Sequence, residues 1–409
     1  MIDKTLILGQ DNNIPVKKGS VLAHYLNPLT NEYTPIEMKF SRPSYATAYT
    51  SNLRIENIPE DYPRVDFTTG KPALYIEGGL SYSSILFDTE VFSEFYNNRT
   101  SKQYISQLAI RSSADLVLFT QTSSGAYFGD YLSVTAGNSY VASAIVDYSK
   151  SNNSLISVRN NNSILSVDLK DGTELFNSLG GTYHIIDYGN SIKRINFIFQ
   201  ATDTTLVFFM LPALNGGTAN DNNSIAATCF NITSGKSITS YMELSGSGVT
   251  RASDSLTLDD LQNRGILWGN SGSLVIKTTI YGTDSYILAL SVNGSTSNEL
   301  NLQVFSSGNI GFVVKDTNIT QSSITDVVNG VIINTQVTIG ITYSGNEVKL
   351  YVNGQKVNEY QGNILTGKYD TLKFSRSNGS LICNQLIEYF ALYKGVLSEQ
   401  EMLYELGSI

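Results

Sequence analysis

Histidine is the scarcest chemically useful residue in this 409-residue chain, which has two, His24 and His184. Serine-based catalysis would need one of them as general base. His184 precedes Asp187 by three positions, but no Gly-x-Ser-x-Gly elbow accompanies the pair. Both histidines therefore read as packing or contact residues. Two cysteines, Cys229 and Cys383, lie far from each other and from both histidines. That spacing holds no zinc and forms no disulfide framework, so two buried free thiols are expected. Asp168-Leu169-Lys170-Asp171-Gly172 supplies oxygen ligands without the spacing of a calcium loop, and reads as a β-turn. Asp284 and Glu299 are the candidate carboxylate pair for glycoside cleavage, and both read as solvated loop charges. Gly216-Gly217 and Gly246-Ser247-Gly248 lack the lysine and the strand-to-helix setting of a phosphate loop. No catalytic residue is assigned, and the chain is read as non-enzymatic.

Sugar binding makes a different demand: an aromatic face for a pyranose and a few fixed polar groups beside it. Twenty-five tyrosines and one tryptophan provide faces. The candidates are Trp268, before a strand, Tyr127 and Tyr131, in the aromatic run after Gly125, and Tyr281, before Gly282-Thr283-Asp284. Each has an alternative role as a core anchor.

The elements that would position these residues are β-strands. Charged residues make up only 15% of the chain, below the roughly 25% usual for soluble proteins. Ser, Thr, Asn and Gly fill the difference and close turns. Ser139 to Val146 alternates, with Tyr140, Ala142, Ala144 and Val146 on one face. Ile195, Phe197 and Phe199 alternate likewise, whereas the continuously apolar Thr205 to Leu211 reads as a strand buried on both sides. Glu347 to Val357 turns at Asn353-Gly354, a strong hairpin signal. Ser398 and Glu401 form a capping box before a short C-terminal helix, stapled by Leu397 and Met402. The fold class is all-β: two jelly-roll sandwiches in tandem, an N-terminal arm and leader, and one short helix. The divisions read 1–40 arm, 41–90 leader packing on the first sandwich, 91–254 first sandwich, and 255–409 second sandwich.

A net charge of −9 argues against nucleic acid as a partner. No apolar run reaches the roughly 20 residues of a membrane-spanning helix, and the first ten residues lack the layout of a secretory signal.

Several short motifs carry a family resemblance. Arg42-Pro43-Ser44-Tyr45-Ala46-Thr47, Pro63-Arg64-Val65-Asp66, Leu74-Tyr75-Ile76-Glu77 and Thr250-Arg251-Ala252-Ser253-Asp254 resemble the leader and connector of bacteriophage virion proteins. The order of segments in 91–254 resembles carbohydrate-binding-module-like jelly rolls. The hairpin at Asn353-Gly354 and the ending from Ala391 to Glu401 are similar to laminin-G and concanavalin-A-like domains. The resemblance implies a structural protein of a phage tail or head, located in the virion and assembled in the bacterial cytoplasm. It implies sandwiches that bind host surface glycan, an arm docking to other virion proteins, and a homo-oligomer, a trimer among its forms. No cofactor is implied beyond a structural calcium ion, which some laminin-G-like domains hold. A purely architectural spacer and a capsule-depolymerising tailspike-like enzyme are the alternatives.

Overall fold

The computed structural model describes residues 4–9, 11, 13–81, 96–98, 100–105, 116–121, 127–149, 155–211, 224–241, 250–267, 271–316, 319–324, 333–362 and 369–409. The chain forms two compact units. The first comprises Met1–Ser51, Asn57–Gly79 and Ala252–Ile409, and the second comprises Asn52–Glu56 and Leu80–Arg251.

The second unit is a β-sandwich. Among the described residues its two sheets have six strands each. One runs Tyr96–Asn98, Tyr127–Ser133, Thr205–Leu211, Leu155–Asn160, Ser163–Asp168, Glu174–Asn177. The other runs Thr100–Ile105, Leu116–Gln121, Ser224–Ser234, Ser139–Asp147, Ile192–Gln200, Thr182–Asp187. Alternation sorts side chains as the sequence predicts: Tyr140, Ala142, Ala144, Val146, Ile195, Phe197 and Phe199 all join the core between the sheets. Phe208 fills its centre, edge-on to Phe197 at 6.1 Å and to Phe230 at 5.9 Å. Thr205–Leu211 differs from its expectation. Leu206 and Phe208 are buried, but Thr205 is exposed and Val207 half-buried, so an apolar strand here covers only one core.

The first unit is also a two-sheet sandwich, with one continuous ladder of antiparallel pairings. Gln355–Gln361, Glu347–Val352, Thr335–Tyr343, Gly272–Ile280 and Gln385–Tyr393 pair in that order, followed by Lys4–Leu8. Tyr33–Ser41, Ser255–Leu258, Thr371–Lys373, Ser285–Ser291, Glu299–Val304, Ile310–Asp316 and Ile319–Ile324 form the other run. Ser20–Leu26 pairs with both Lys4–Leu8 and Tyr33–Ser41 and so joins the two runs.

The N-terminal segment is therefore not an arm. Residues 1–40 do lack a core of their own, but Leu6, Leu8, Val21, Ala23, Ile36, Met38 and Phe40 belong to the core cluster of the C-terminal sandwich. Residues 57–79 lie in the same unit, which corrects the leader expected on the 91–254 sandwich. The physical reason is strand demand: Gln385–Tyr393 and Ser255–Leu258 each offer a ladder edge, and this segment pairs with both.

Two local signals fold as read. Asn353 and Gly354 take φ of 48° and 73°, and Val352 pairs with Gln355 across the turn. The helix Glu399–Ser408 opens on a complete capping box: Glu401 N donates to Ser398 Oγ, and Ser398 N donates to Glu401 Oε2 at 2.9 Å. Leu397, Met402 and Leu406 press this helix onto Val275, Tyr351, Ala391 and Tyr393, the sheet face opposite the core. Met402 sits directly over Gly340, where a Cβ would overlap its sulfur.

Candidate functional site

The leader and connector motifs converge inside the first unit. Arg42, Arg64 and Glu77 are 0% exposed and Asp254 is 1% exposed. Arg64 pairs with both Glu77 and Asp254, while Arg42 Nη1 stands 3.3 Å from Asp254 Oδ1. Glu77 N donates to Asp254 Oδ2 at 2.8 Å, and Ala252 N donates to Ser44 Oγ at 3.1 Å. Arg42 spends its remaining donors on the carbonyls of Ser44, Ile58 and Pro59. The Arg64 guanidinium lies 4.5 Å from the centre of the Tyr75 ring. Burial opposes charge on Arg64, but Asp254 and Glu77 outweigh it and raise its pKa. Burial, followed by the charge of Arg64, lowers that of Arg42. Two cations and two anions balance, which is what lets four charges share a dry interior. This cluster is a framework. It fixes the leader and the start of the C-terminal segment and leaves no group free for a ligand.

The candidate site is a cleft of about 390 Å³ in the same unit. Its walls come from the strand Lys4–Leu8 and the residues after it, from the paired strands bearing Lys277 and Tyr389, and from the end of the helix. Lys277 and Tyr389 are cross-strand partners on the face opposite the core. Lys4 Nζ pairs with Glu405 Oε2 at 2.8 Å and lies 5.7 Å from the centre of the Tyr389 ring. Glu388 is 7% exposed, with Lys277 Nζ 3.6 Å from Oε2 and Gln336 Nε2 2.5 Å from Oε1. Burial pushes the Tyr389 phenol up, with Lys4 opposing it. Burial also opposes charge on Lys4, but Glu405 and Tyr389 together more than offset it, so this pKa is raised. Gly9, at φ +80°, allows the chain to cross against the Glu388 carbonyl, where a Cβ would overlap that oxygen. Asp11 and Lys71 stand at the exposed rim. The result is one aromatic ring among ammonium donors and carboxylate acceptors, a set that suits a polyhydroxylated ligand. Its volume falls within the roughly 300–1,000 Å³ of small-ligand sites.

Of the platforms read from sequence, Tyr131 is 60% exposed on the strand Tyr127–Ser133 of the second unit. Tyr127 starts the same strand. Tyr281 is corrected: it is 3% exposed, tilted against Tyr75 at 5.8 Å, and is a core aromatic of the first unit. Trp268 lies outside the described residues. Glu299 is also corrected. It sits on a strand, fully buried and ion-paired, while Asp284 is exposed at a turn with φ 56°. Strand alternation puts Glu299 on a sheet face, which a loop reading missed.

Among the described residues, no group of three or more His, Cys, Asp or Glu could hold a metal ion. In the turn considered for calcium, Asp168 Oδ1 accepts from Lys170 N and Asp171 Oδ1 from Thr173 N, both at 2.9 Å. Those carboxylates serve the turn, and the donor set does not fit calcium. Sequence reading missed the cleft residues Lys4, Lys277, Glu388 and Tyr389. The available signal was Lys277, a lone cation in the apolar strand Gly272–Ile280.

The first unit is thus an antiparallel β-sandwich with a polar cleft. Residues 250–402 match the family described as the concanavalin A-like lectin/glucanases superfamily. The strands before residue 80 that complete this sandwich lie outside the match. No curated protein matches the chain. Among solved structures, the chain is similar to the CBM40 of the Ruminococcus gnavus IT-sialidase bound to α2,3-sialyllactose. That alignment has 16% identity and a TM-score of 0.29, and covers 34% of this chain and 83% of that one. Domain 4 of a GH43 extracellular arabinanase from Geobacillus stearothermophilus, in complex with arabinotriose, aligns with 13% identity and a TM-score of 0.32. It covers 41% of this chain and 80% of that one. The receptor-binding domain of botulinum neurotoxin mosaic serotype C/D aligns with 18% identity and a TM-score of 0.31, covering 38% and 40%. At these scores the likenesses bear on neither ligand nor activity.

Proposed function

We propose that this chain is a non-enzymatic structural protein of a bacteriophage particle, part of a tail or head appendage, whose sandwiches bind glycan on the host surface. The observation that carries the glycan reading is the superfamily match over 250–402, on a sandwich with a cleft of sugar-binding size. The virion reading is supported by the motifs at Arg42, Arg64, Glu77 and Asp254, which resemble a virion leader and connector and meet in one cluster. Docking to other virion proteins then uses folded surface rather than a free arm, because Lys4–Leu8, Ser20–Leu26 and Tyr33–Ser41 are bonded into the sandwich. Assembly as a homo-oligomer belongs to the same proposal.

The experiment is a bacterial glycan array probed with the full chain and with Tyr389→Ala, beside a reducing-end assay on the bound polysaccharides. Binding that Tyr389→Ala weakens, with no new reducing ends, is expected. Release of reducing ends would establish an enzyme instead, and an array without any bound glycan would favour the architectural spacer. Mass spectrometry of purified particles tests the virion part; absence of the chain from them would refute it.

A further inference from the structure

A second polar cluster lies on the other sheet of the first unit, on the face turned from the core. Leu300, Leu302 and Val304 point into the core, so Glu299 and Asn301 occupy the opposite face of their strand. Ser291, Glu299 and Lys315 stand in register across three strands. The segment 374–381 lays Arg376 and Ser377 over this row. Ser377 Oγ donates to Glu299 Oε2, and Arg376 Nε lies 3.7 Å from Glu299 Oε1. Lys315 Nζ is 3.5 Å from the same oxygen, which also accepts from Asn301 Nδ2 at 3.0 Å. The Arg376 guanidinium rests 5.6 Å from the centre of the Tyr286 ring.

This cluster is unbalanced where the Arg42 cluster is neutral. Arg376 and Lys315 share one carboxylate, and Lys373 adjoins them, its Nζ donating to Ser377 O at 2.8 Å. Asp370 is committed elsewhere, to Asn293 N and Thr371 Oγ1. Hydrogen bonding is also incomplete. Arg376 Nε and Ser291 Oγ are buried donors without a hydrogen-bond partner, the first held only by its longer ion pair with Glu299, and Ser291 is 1% exposed. A buried polar atom left unpaired costs stability unless a ligand or water satisfies it. The Arg376 and Lys315 side chains remain 27% and 20% exposed, so the cations reach solvent while Glu299 anchors them from beneath.

We propose that Arg376 and Lys315, positioned by Glu299, form a subsite for the anionic group of an acidic saccharide, a carboxylate or a sulfate. The guanidinium fork matches either group's oxygens, with Lys315 adding a point charge beside it. The subsite rests on the glycan reading and adds a ligand class at a place apart from the cleft. A locally cationic face on a chain of net charge −9 also concentrates an anionic polymer where it can be held.

The test is calorimetric titration of the full chain with trigalacturonate, a hyaluronan tetrasaccharide and 3′-sulfolactose, with maltotriose as the neutral reference. At least one anionic probe is expected to bind, and to bind more weakly in 0.5 M NaCl. Arg376→Gln should lower that affinity roughly tenfold or more, with Arg376→Lys intermediate because it keeps charge and loses the fork. The carboxylated and sulfated probes identify which anion is read. Should Arg376→Gln fail to fold, Lys315→Gln and the salt series carry the same prediction. Equal affinity of wild type and variants, or no binding of any anionic probe, overturns the subsite. Maltotriose binding that survives in Arg376→Gln would leave the glycan reading standing.

Discussion

Asp254→Asn is the sharpest perturbation of this fold, because the substitution changes charge with little change in shape. In the native cluster Arg42 and Arg64 face Asp254 and Glu77, all within a dry interior. The amide leaves two guanidinium cations against one carboxylate. Asp254 also accepts from the Glu77 backbone, and its Oδ2 serves Arg64 as well. Removing one partner of a buried ion pair costs about 3–5 kcal/mol. For a unit of this size each kcal/mol moves the melting temperature by roughly 2–4 °C, so a fall of roughly 6–20 °C is expected. Calorimetry measures the fall, and hydrogen exchange assigns it to peptides of the first unit. Arg42→Met added to Asp254→Asn restores neutrality and should recover part of the loss, a non-additivity that an uncharged packing defect would not show. A variant melting within about 2 °C of wild type would refute the claim that charge balance holds this interior together.

Three further outcomes follow from the structure. Deleting residues 1–40 removes the strands Lys4–Leu8, Val16–Lys17 and Ser20–Leu26, nearly all of Tyr33–Ser41, and the core side chains Leu6, Leu8, Ile14, Val21, Ala23, Ile36, Met38 and Phe40. Truncating one such side chain often costs about 2–5 kcal/mol, so the whole loss exceeds the roughly 5–15 kcal/mol that holds a domain folded. The first unit should lose its exchange protection, and protected amides in 252–409 would contradict the integrated ladder. Burial lowers the pKa of His184, so the unfolded chain binds a proton more readily than the native one. Stability of the second unit should therefore fall as pH drops from about 6.5 toward the depressed native value, and be flat above it. His184→Asn should remove that slope in melting curves taken across this window. Cys383 has its pKa pushed up to about 12 by burial, and Cys229 is buried as well. Neither thiol should react with a disulfide reagent at pH 8 until denaturant unfolds its unit, a rate readable by absorbance.

Much of the fold was legible because it is written in local patterns. Alternation placed Tyr140 through Val146 and Ile195 through Phe199 on the core face, and Asn353-Gly354 set a register through its positive φ. The capping box located the helix because Ser398 and Glu401 satisfy each other's backbone donors. Pairing between distant segments is not local. Nothing within Lys4–Leu8 names Gln385–Tyr393 as its neighbour, so in sequence an incomplete core reads as an arm. The same limit governed the sites. Tyr281 shows an aromatic beside a turn, and only its approach to Tyr75 reveals a core residue. Glu299 reads as a loop charge until Lys315 and Arg376 arrive from other segments.

These two charged clusters show why motif and ligand site part company in this chain. The residues that carry the motif resemblance, Arg42, Arg64, Glu77 and Asp254, are those whose charges cancel within the protein. Cancellation fixes their identities, because replacing any one strands a charge in the interior, and it also removes them from outside chemistry. A ligand site needs the opposite condition: groups held in place yet left unsatisfied. Arg376 meets it, anchored by the ion pair of its Nε with Glu299 and by the Tyr286 ring, while its side chain stays 27% exposed. The family resemblance therefore reports how the sandwich is framed, and the unbalanced cations mark where the proposed glycan would add what the protein leaves open. A variant series that lowers melting temperature at the Arg42 cluster alone, and affinity at Arg376 alone, is the behaviour this division requires.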